Sequence, residues 1–163
     1  MNQRTTPPNR RSAIAGLLGL GLLGLGASGL TQAATQALPR IEVWKDPNCG
    51  CCKDWISHLE ASGFTVKVNE TGNAPMRARL GIAEELGSCH TATVGGYALE
   101  GHVPAKDIKR LLREKPTAIG LTVPGMPVGS PGMDGAVYQG RKDPYDVLLI
   151  AKNGRTSVFQ TYR

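Results

Sequence analysis

The pattern of apolar and polar residues predicts a strand, a helix and a second strand between residues 41 and 68. Residues 41–45 (IEVWK) alternate between apolar and polar side chains, which is typical of a half-buried strand. After a break at residues 46–48, apolar side chains recur at a spacing that lies on one helical face: Cys52, Trp55, Ile56 and Leu59. Gly63 is placed to end that helix, and residues 64–68 alternate again. We therefore expect a parallel pair of strands joined by a right-handed crossover.

The pattern continues with a helical stretch, a hairpin and a further helix. Residues 73–86 predict one or two short polar helices interrupted at Gly81. Residues 91–94 and 97–100 predict two strands joined by a turn at residues 95–96, where two glycines stand together. An amphipathic helix then begins near Pro104 and ends near Lys115. This order predicts an α/β domain with a thioredoxin-like fold and a mixed central sheet.

The last 48 residues add two features to that order. Residues 116–144 contain many Gly and Pro residues and two methionines, and they predict one long ordered loop. Residues 147–150 and 157–159 predict an extra C-terminal hairpin that turns at residues 153–154, an Asn-Gly pair. A loop of this length within a compact domain is usually functional or disordered.

The N-terminal segment predicts an export signal rather than part of the fold. Arg10 and Arg11 precede an apolar run at residues 13–30, and small residues follow up to Ala37. We expect cleavage between residues 33 and 37, which leaves one domain at residues 38–163. A retained membrane anchor is the alternative, because the run is about long enough to span a bilayer. The arginine pair suggests the twin-arginine route, but the Sec route stays open.

Charge and location narrow the functional classes. The formal net charge of +6 falls to about +3 without the predicted signal, which carries three arginines and no acidic residue. No run of basic residues is interleaved with aromatic residues, so we expect no nucleic-acid partner. Export predicts a protein of an oxidising compartment outside the cytoplasm, with no stable membrane association after cleavage. In that oxidising compartment, cysteines pair unless a metal or a reductant holds them.

Three cysteines within four residues carry the chemistry of the sequence. Cys49 and Cys52 form a Cys-x-x-Cys pair at the predicted start of a helix, where free N–H groups stabilise a thiolate. Cys52 falls on the apolar face and is expected to be buried, with Cys49 accessible. Cys51 is of no use in simple disulfide exchange, but it adds a third sulfur ligand for a soft metal.

The fourth cysteine, Cys89, is expected to face the other three. It precedes the strand at residues 91–94, where thioredoxin-like folds normally carry a cis-proline beside the Cys-x-x-Cys turn. Two structural disulfides remain an alternative, for which Cys49–Cys52 with Cys51–Cys89 is the least strained pairing. Zinc is a less favoured alternative to a softer metal, and it would be bound by all four cysteines or by three of them with His90.

Several long motifs resemble those of the CopG-type copper-resistance proteins, a family formerly described as a domain of unknown function. They are KDPNCGCCKDW at 45–55, SCHTA at 88–92, VGGY at 94–97, EGHVPA at 100–105, GLTVPGMP at 120–127 and GM at 132–133. The resemblance covers about residues 40–163. It implies a periplasmic thioredoxin-like protein whose cysteines bind Cu(I), as a thiolate-bridged multinuclear cluster, with an oxidoreductase role in copper handling. The implied ligands are Cys49, Cys51, Cys52 and Cys89.

Other side chains are secondary candidates for the site. Met126 and Met133 lie in the long loop, where a thioether could approach a soft metal, although methionine is more often a packing group. His90 adjoins Cys89 but is expected to point to the opposite face of its strand. His102 is a candidate for contact with a metal ligand. The alternatives for the histidines are structural or solvated positions, and we expect an exposed His58. Lys45 and Asp46 flank the cysteines and could tune the charge of the thiolates, and a solvated Lys45–Asp46 pair is at least as well supported.

Three functions follow from these observations. The preferred one is a periplasmic protein that holds Cu(I) at Cys49, Cys51, Cys52 and Cys89 in copper resistance, with possible copper redox activity. Its candidate partners are copper ions and other periplasmic copper-handling proteins. The second is a thiol–disulfide oxidoreductase that uses Cys49 and Cys52. The third is a disulfide-stabilised binding module whose long loop contacts a partner. Enzyme activity is left open by the sequence.

Overall fold

The structure of the chain is a computed structural model, and it describes residues 37–163. The predicted export signal lies outside the described residues, except for Ala37. Within the described part of the chain, no helix combines the length and the apolar character needed to cross a membrane.

Seven strands and three α-helices make up the described residues. In chain order they are β1 (Ile41–Lys45), α1 (Gly50–Ala61), β2 (Val66–Asn69), α2 (Ala74–Arg79), β3 (His90–Val94), β4 (Tyr97–Glu100), α3 (Ala105–Glu114), β5 (Ala118–Thr122), β6 (Tyr145–Ala151) and β7 (Thr156–Tyr162). Two short 3₁₀ turns, Glu84–Leu86 and Ala136–Tyr138, lie in the connections.

All seven strands form one mixed sheet in the order β2-β1-β3-β4-β5-β6-β7. The β1–β2 and β4–β5 pairs are parallel, and the other neighbouring pairs are antiparallel. The predicted α/β class, the mixed sheet and the C-terminal hairpin are confirmed. The first four strands and three helices follow the predicted order of elements. The name thioredoxin-like stays an interpretation of that order.

The prediction of one loop from residue 116 to residue 144 is wrong at its start, where β5 pairs with β4 and β6. The sequence of β5 is AIGLT, and its central glycine is not typical of a strand, so the pattern did not predict β5. A side chain at Gly120 would collide with the backbone of Ala98 on the neighbouring strand. Glycine is therefore required for close approach of two backbones here. The connection that remains, from residue 123 to residue 144, contains the second 3₁₀ turn.

Helices α1 and α3 pack on one face of the sheet and form the main core. Trp55 and Leu59 of α1 and Ile108 and Leu111 of α3 are fully buried. Each such side chain contributes about 1.5–3 kcal/mol by its removal from water. The Trp55 indole N–H donates to the Val103 carbonyl at 2.9 Å, so its one polar atom is satisfied. This packing fixes the position of α1 on the sheet.

The first turn of α3 is held by a histidine from α1. Pro104 precedes the helix and has no N–H to satisfy, and the helix has no side-chain cap of its own. The Ala105 N–H donates to Nε2 of His58 at 3.1 Å. His58 is half-buried, so the expectation of an exposed histidine is wrong, because α3 packs against this side of α1. Burial lowers the pKa of His58 below its usual value of 6.5.

We expect His58→Ala to lower the free energy of unfolding by about 1 kcal/mol at pH 8, as loss of a helix cap does. The folded-state pKa of His58 is lowered, so its contribution is complete above pH 6.5 and is lost as the pH falls through the folded-state pKa. The protonated ring has no free nitrogen to accept the bond. Urea titrations at pH 8 and at pH 5 measure the difference. An equal loss at both pH values would contradict this role of His58.

Candidate metal centre

The start of α1 presents three cysteines on one turn. The Asp46 side chain accepts a hydrogen bond from the Asn48 N–H at 2.8 Å, and the Cys49 N–H donates to the Asp46 carbonyl at 3.1 Å. Cys49 is extended and takes the N-cap position, so Cys51 and Cys52 fall in the first helical turn. Cys52 is fully buried and Cys49 is half-buried, in agreement with the helical pattern.

A buried ammonium group holds the turn before the cysteines. Lys45 is fully buried at the end of β1, and its Nζ donates to the Asp46 carbonyl at 2.8 Å. The same Nζ lies 3.2 Å from an oxygen of Glu70. The expectation of a solvated Lys45–Asp46 pair is therefore wrong for Lys45 and correct for Asp46, which is exposed. The lysine is retained inside because backbone carbonyls and one carboxylate replace its hydration.

The fold brings the fourth sulfur to the other three. Cys89 Sγ lies 3.5 Å from Cys52 Sγ and 3.8 Å from Cys51 Sγ. Cys51 Sγ lies 3.6 Å from Cys49 Sγ. All four sulfur atoms lie within 4.8 Å of one another. The convergence of Cys89 on the start of α1, predicted from topology, is observed.

The four sulfurs are in two chemical states. Cys49 and Cys52 form a disulfide, while Cys51 and Cys89 are free thiols. Of the two disulfides in the structural alternative, only Cys49–Cys52 is formed. The pKa of Cys89 is raised to about 12, first by burial and then by the neighbouring Cys51. Cys89 therefore stays protonated at neutral pH unless a metal displaces the proton.

Two histidines lie against the Cys89 sulfur. His102 Nε2 is 3.1 Å from Cys89 Sγ, and His90 Nδ1 is 3.4 Å from the same atom. The expectation that His90 points away is wrong, because Cys89 lies in the turn before β3 and the alternation of strand faces begins only at His90. Burial lowers the pKa of both rings, that of His90 to about 3, so both are neutral at pH 7.

The long connection after β5 closes over the site. The Gly125 N–H donates to the Gly87 carbonyl at 3.0 Å, and the Ser88 hydroxyl donates to the Gly125 carbonyl. Met126 Sδ then lies 4.0 Å from Cys51 Sγ, with half of the residue exposed. Farther along, a side chain at Gly132 would come within 2.6 Å of the Cys51 carbonyl, so the loop packs directly on α1.

The two methionine candidates have different positions. Met126 reaches the four-sulfur group, whereas Met133 is buried and its Sδ accepts a hydrogen bond from the Tyr138 hydroxyl at 3.2 Å. Met133 therefore has the contacts of a packing residue.

Sequence reasoning missed the buried carboxyl group that positions Cys89. Glu100 ends β4, and its carboxylate accepts bonds from the Ser88 N–H at 2.7 Å and the Thr91 hydroxyl at 2.6 Å. Arg77 lies 3.7 Å away. Burial raises the pKa of Glu100, and its hydrogen bonds oppose that shift. The available signal was that Thr91 and Glu100 face each other across the predicted hairpin.

The site has the chemistry of a soft-metal centre. Thiolate sulfur is the preferred ligand of Cu(I) and also suits Zn²⁺. Reduction of Cys49–Cys52 would supply four sulfurs, and the two imidazoles add harder nitrogen donors beside Cys89. The free N–H groups at the start of α1 stabilise negative charge on the cysteines there.

We expect Glu100→Ala to lower the free energy of unfolding by about 2–4 kcal/mol, because two buried donors lose their acceptor. Chemical denaturation of the disulfide form measures this loss. Glu114→Ala is a matched control, since Glu114 is exposed and its ion pair with Arg110 is worth at most about 0.5 kcal/mol. Equal effects of the two substitutions would contradict a structural role for Glu100.

A protein-family model and two solved structures are similar to this chain. A protein-family model described as "Protein of unknown function, DUF411" matches residues 86–133. Two solved structures, "Copper resistance protein copG- Form 1" and "Copper resistance protein copG- Form 2", are each 47% identical to the chain, with a TM-score of 0.71. The matches cover 77% of this chain and 98% and 99% of those chains. A search of curated proteins gives no match.

Proposed function

Because the chain belongs to the CopG family of copper resistance proteins, we propose that it binds copper as Cu(I) through its four cysteines. The ligands of this site are Cys49, Cys51, Cys52 and Cys89. The observation that carries the proposal is the placement of four sulfur atoms within 4.8 Å of one another.

Copper(I) fits this donor set better than harder ions do. It is soft and accepts low coordination numbers, so a few thiolates can bridge several ions. Four thiolates with four Cu(I) ions would carry no net charge, which lowers the cost of a partly buried cluster. A zinc ion would use all four sulfurs for a single 2+ charge and leave two negative charges. We therefore favour a multinuclear copper site over a zinc site.

Loading the full site requires reduction of the Cys49–Cys52 disulfide by two electrons. Each cysteine that then becomes a thiolate ligand gives up its proton, so copper uptake is coupled to proton release. The exposed Met126 thioether, 4.0 Å from Cys51, is placed to make an early contact with an incoming ion. We infer that copper enters or leaves on the side of the site where Met126 is exposed.

The proposal includes a cellular role. The chain is exported, residues 38–163 act as one periplasmic domain, and the domain holds Cu(I) or changes its oxidation state in copper resistance. Its partners are copper ions and other periplasmic copper-handling proteins. Family membership and the cysteine cluster support this role.

Substitution of Cys51 distinguishes a copper cluster from a simple redox pair of cysteines. We expect reduced protein to bind several Cu(I) ions per chain, and Cys51→Ser to bind one or fewer, because one bridging sulfur is lost. Copper analysis and a thiol count after anaerobic loading measure the ratio. Met76→Leu, which removes a thioether on α2, is the control and keeps the full ratio. Unchanged loading of the Cys51 variant would refute the cluster.

A second function is favoured by the Cys49–Cys52 disulfide itself. In its reduced form, the half-buried Cys49 thiolate would attack a substrate disulfide and form a mixed disulfide. The buried Cys52 would then displace the substrate dithiol and re-form Cys49–Cys52. The start of α1 supports such a reaction by stabilising the attacking thiolate.

This second function is tested with metal-free protein. We expect reduced protein to reduce a model disulfide such as that of insulin, Cys49→Ser to abolish the reaction, and Cys51→Ser to retain it. The reaction is followed by separation of the insulin chains that reduction releases, with a chelator present. If metal-free wild-type protein neither reduces nor oxidises a model disulfide, thiol–disulfide exchange is not its function.

A further inference from the structure

We propose that this protein binds a small organic anion, one with a doubly charged head group and an apolar body, in a cavity between α1, α3 and the end of β7. None of the four cysteines lines this cavity. The site requires no copper, so it goes beyond the proposed function and does not rest on it.

The cavity has the size of a small-molecule site. Its volume is about 460 Å³, and ligand pockets in proteins commonly measure about 300–1,000 Å³. The wall is formed by the end of α1, the start of α3, parts of the connection from residue 123 to residue 144, the start of β6 and the end of β7. Because segments distant in sequence form this wall, the cavity is a product of the tertiary fold.

Positive charge predominates on the wall of the cavity. Its basic side chains are Lys106, Lys109, Lys142 and Arg163, and its one acidic side chain in the described part of the chain is Asp143. Arg163 pairs with Asp146 at 3.5 Å, whereas the three lysines have no ion-pair partner among the described residues. Three ammonium groups without a carboxylate partner favour a ligand with more than one negative charge.

Two of these lysines are held over aromatic rings. Lys106 Nζ lies 4.7 Å from the centre of the Tyr162 ring, and Lys109 Nζ lies 5.8 Å from the centre of the Phe64 ring. Such cation–π contacts restrain the ammonium groups without neutralising their charge. Each group carries three N–H donors, so it can still donate a hydrogen bond to an oxyanion.

The carboxylates near the cavity are engaged by donors of the protein. Asp143 Oδ2 accepts a hydrogen bond from the Val128 N–H at 3.3 Å. Asp107 is buried and does not line the cavity, and its Oδ2 accepts a hydrogen bond from the Tyr162 hydroxyl at 2.5 Å. His58 adds an uncharged donor to the wall, because its Nε2 accepts the first N–H of α3 and its Nδ1 therefore carries the proton. The side chains of the wall thus offer mainly donors, as an anion requires.

An apolar surface forms the rest of the wall. The Tyr145 and Tyr162 rings stack in parallel, with their centroids 4.6 Å apart and an angle of 5° between their planes. Pro104 and Pro131 also line the cavity. An apolar ligand body that contacts these rings leaves water, which favours binding. The wall therefore selects an organic anion over an inorganic anion of the same charge.

The cavity adjoins the candidate metal centre, because the Pro131 carbonyl oxygen lies 2.8 Å from Nδ1 of His102. The test therefore uses the whole chain in its disulfide form without metal, at roughly physiological ionic strength, which screens non-specific surface attraction. The probes are phenyl phosphate and inorganic phosphate at pH 8, where each carries about two negative charges. Calorimetric titration is expected to show one phenyl phosphate bound per chain, with a Kd below about 1 mM. Inorganic phosphate is expected to bind at least about tenfold more weakly, because it has no apolar body.

Substitutions and NMR locate the ligand. Lys109→Gln is expected to weaken the binding of phenyl phosphate at least about tenfold, because a hydrogen bond between charged groups is lost. Lys152→Gln is the matched control, since it makes the same change of charge at an exposed residue outside the cavity, and it leaves the affinity unchanged. In wild-type protein, phenyl phosphate is expected to shift the amide signals of Lys109 and Tyr145. Far-UV circular dichroism shows whether each variant is folded.

Three results would overturn the site. A Kd for phenyl phosphate above about 1 mM would show that the cavity is not a binding site. Equal affinities for the two probes, or equal effects of the Lys109 and Lys152 substitutions, would show an adventitious ion only. Unchanged amide signals at the cavity would do the same, and this measurement on wild-type protein decides the question even if the Lys109 variant does not fold. Cys51→Ser keeps this site, so its failure is distinguishable from failure of the copper site.

Discussion

The antiparallel pairing of β1 with β3 is the constraint on which the candidate metal centre depends. Lys45, the last residue of β1, lies opposite His90, the first residue of β3. The chain that leaves β1 toward α1 and the chain that enters β3 from Cys89 therefore meet at the same end of these two strands. Both strands lie inside the sheet, with β2 and β4 as their outer neighbours. Because their positions are fixed by hydrogen bonds on both sides, two segments almost 40 residues apart are held in sulfur–sulfur contact.

Buried polar groups fix the loops at that end of β1 and β3. The Lys45 ammonium group holds the turn before Cys49, and the Glu100 carboxylate holds the turn before β3. Each is inside the protein because backbone groups satisfy it, so each sets the position of a backbone segment. Gly132 brings the long loop onto α1 at a distance that no other residue allows. The four sulfur atoms are thus held in position by the fold alone, so binding of a metal would cost little ordering entropy.

Cys89 occupies a special position among these donors. It contacts the sulfurs of Cys51 and Cys52 on one side and the nitrogens of His90 and His102 on the other. Under the proposed function, reduction of the Cys49–Cys52 disulfide would add two sulfur donors beside Cys51 and Cys89.

The sequence by itself determined the α/β class, most helices and strands, and the four sulfurs that converge, because periodicity and cysteine spacing are local signals. It did not identify β5, since the glycine at residue 120 is explained only by the backbone of Ala98 on the neighbouring strand. The sequence pattern also predicted that His90 points away from Cys89, and it did not identify Glu100 as a buried hydrogen-bond acceptor. The tertiary structure decided that Cys51 and Cys89 stay unpaired and which nitrogen of His102 faces Cys89. The orientation of His102 depends on a carbonyl of Pro131, 29 residues away, and such contacts leave no periodic trace in a single sequence.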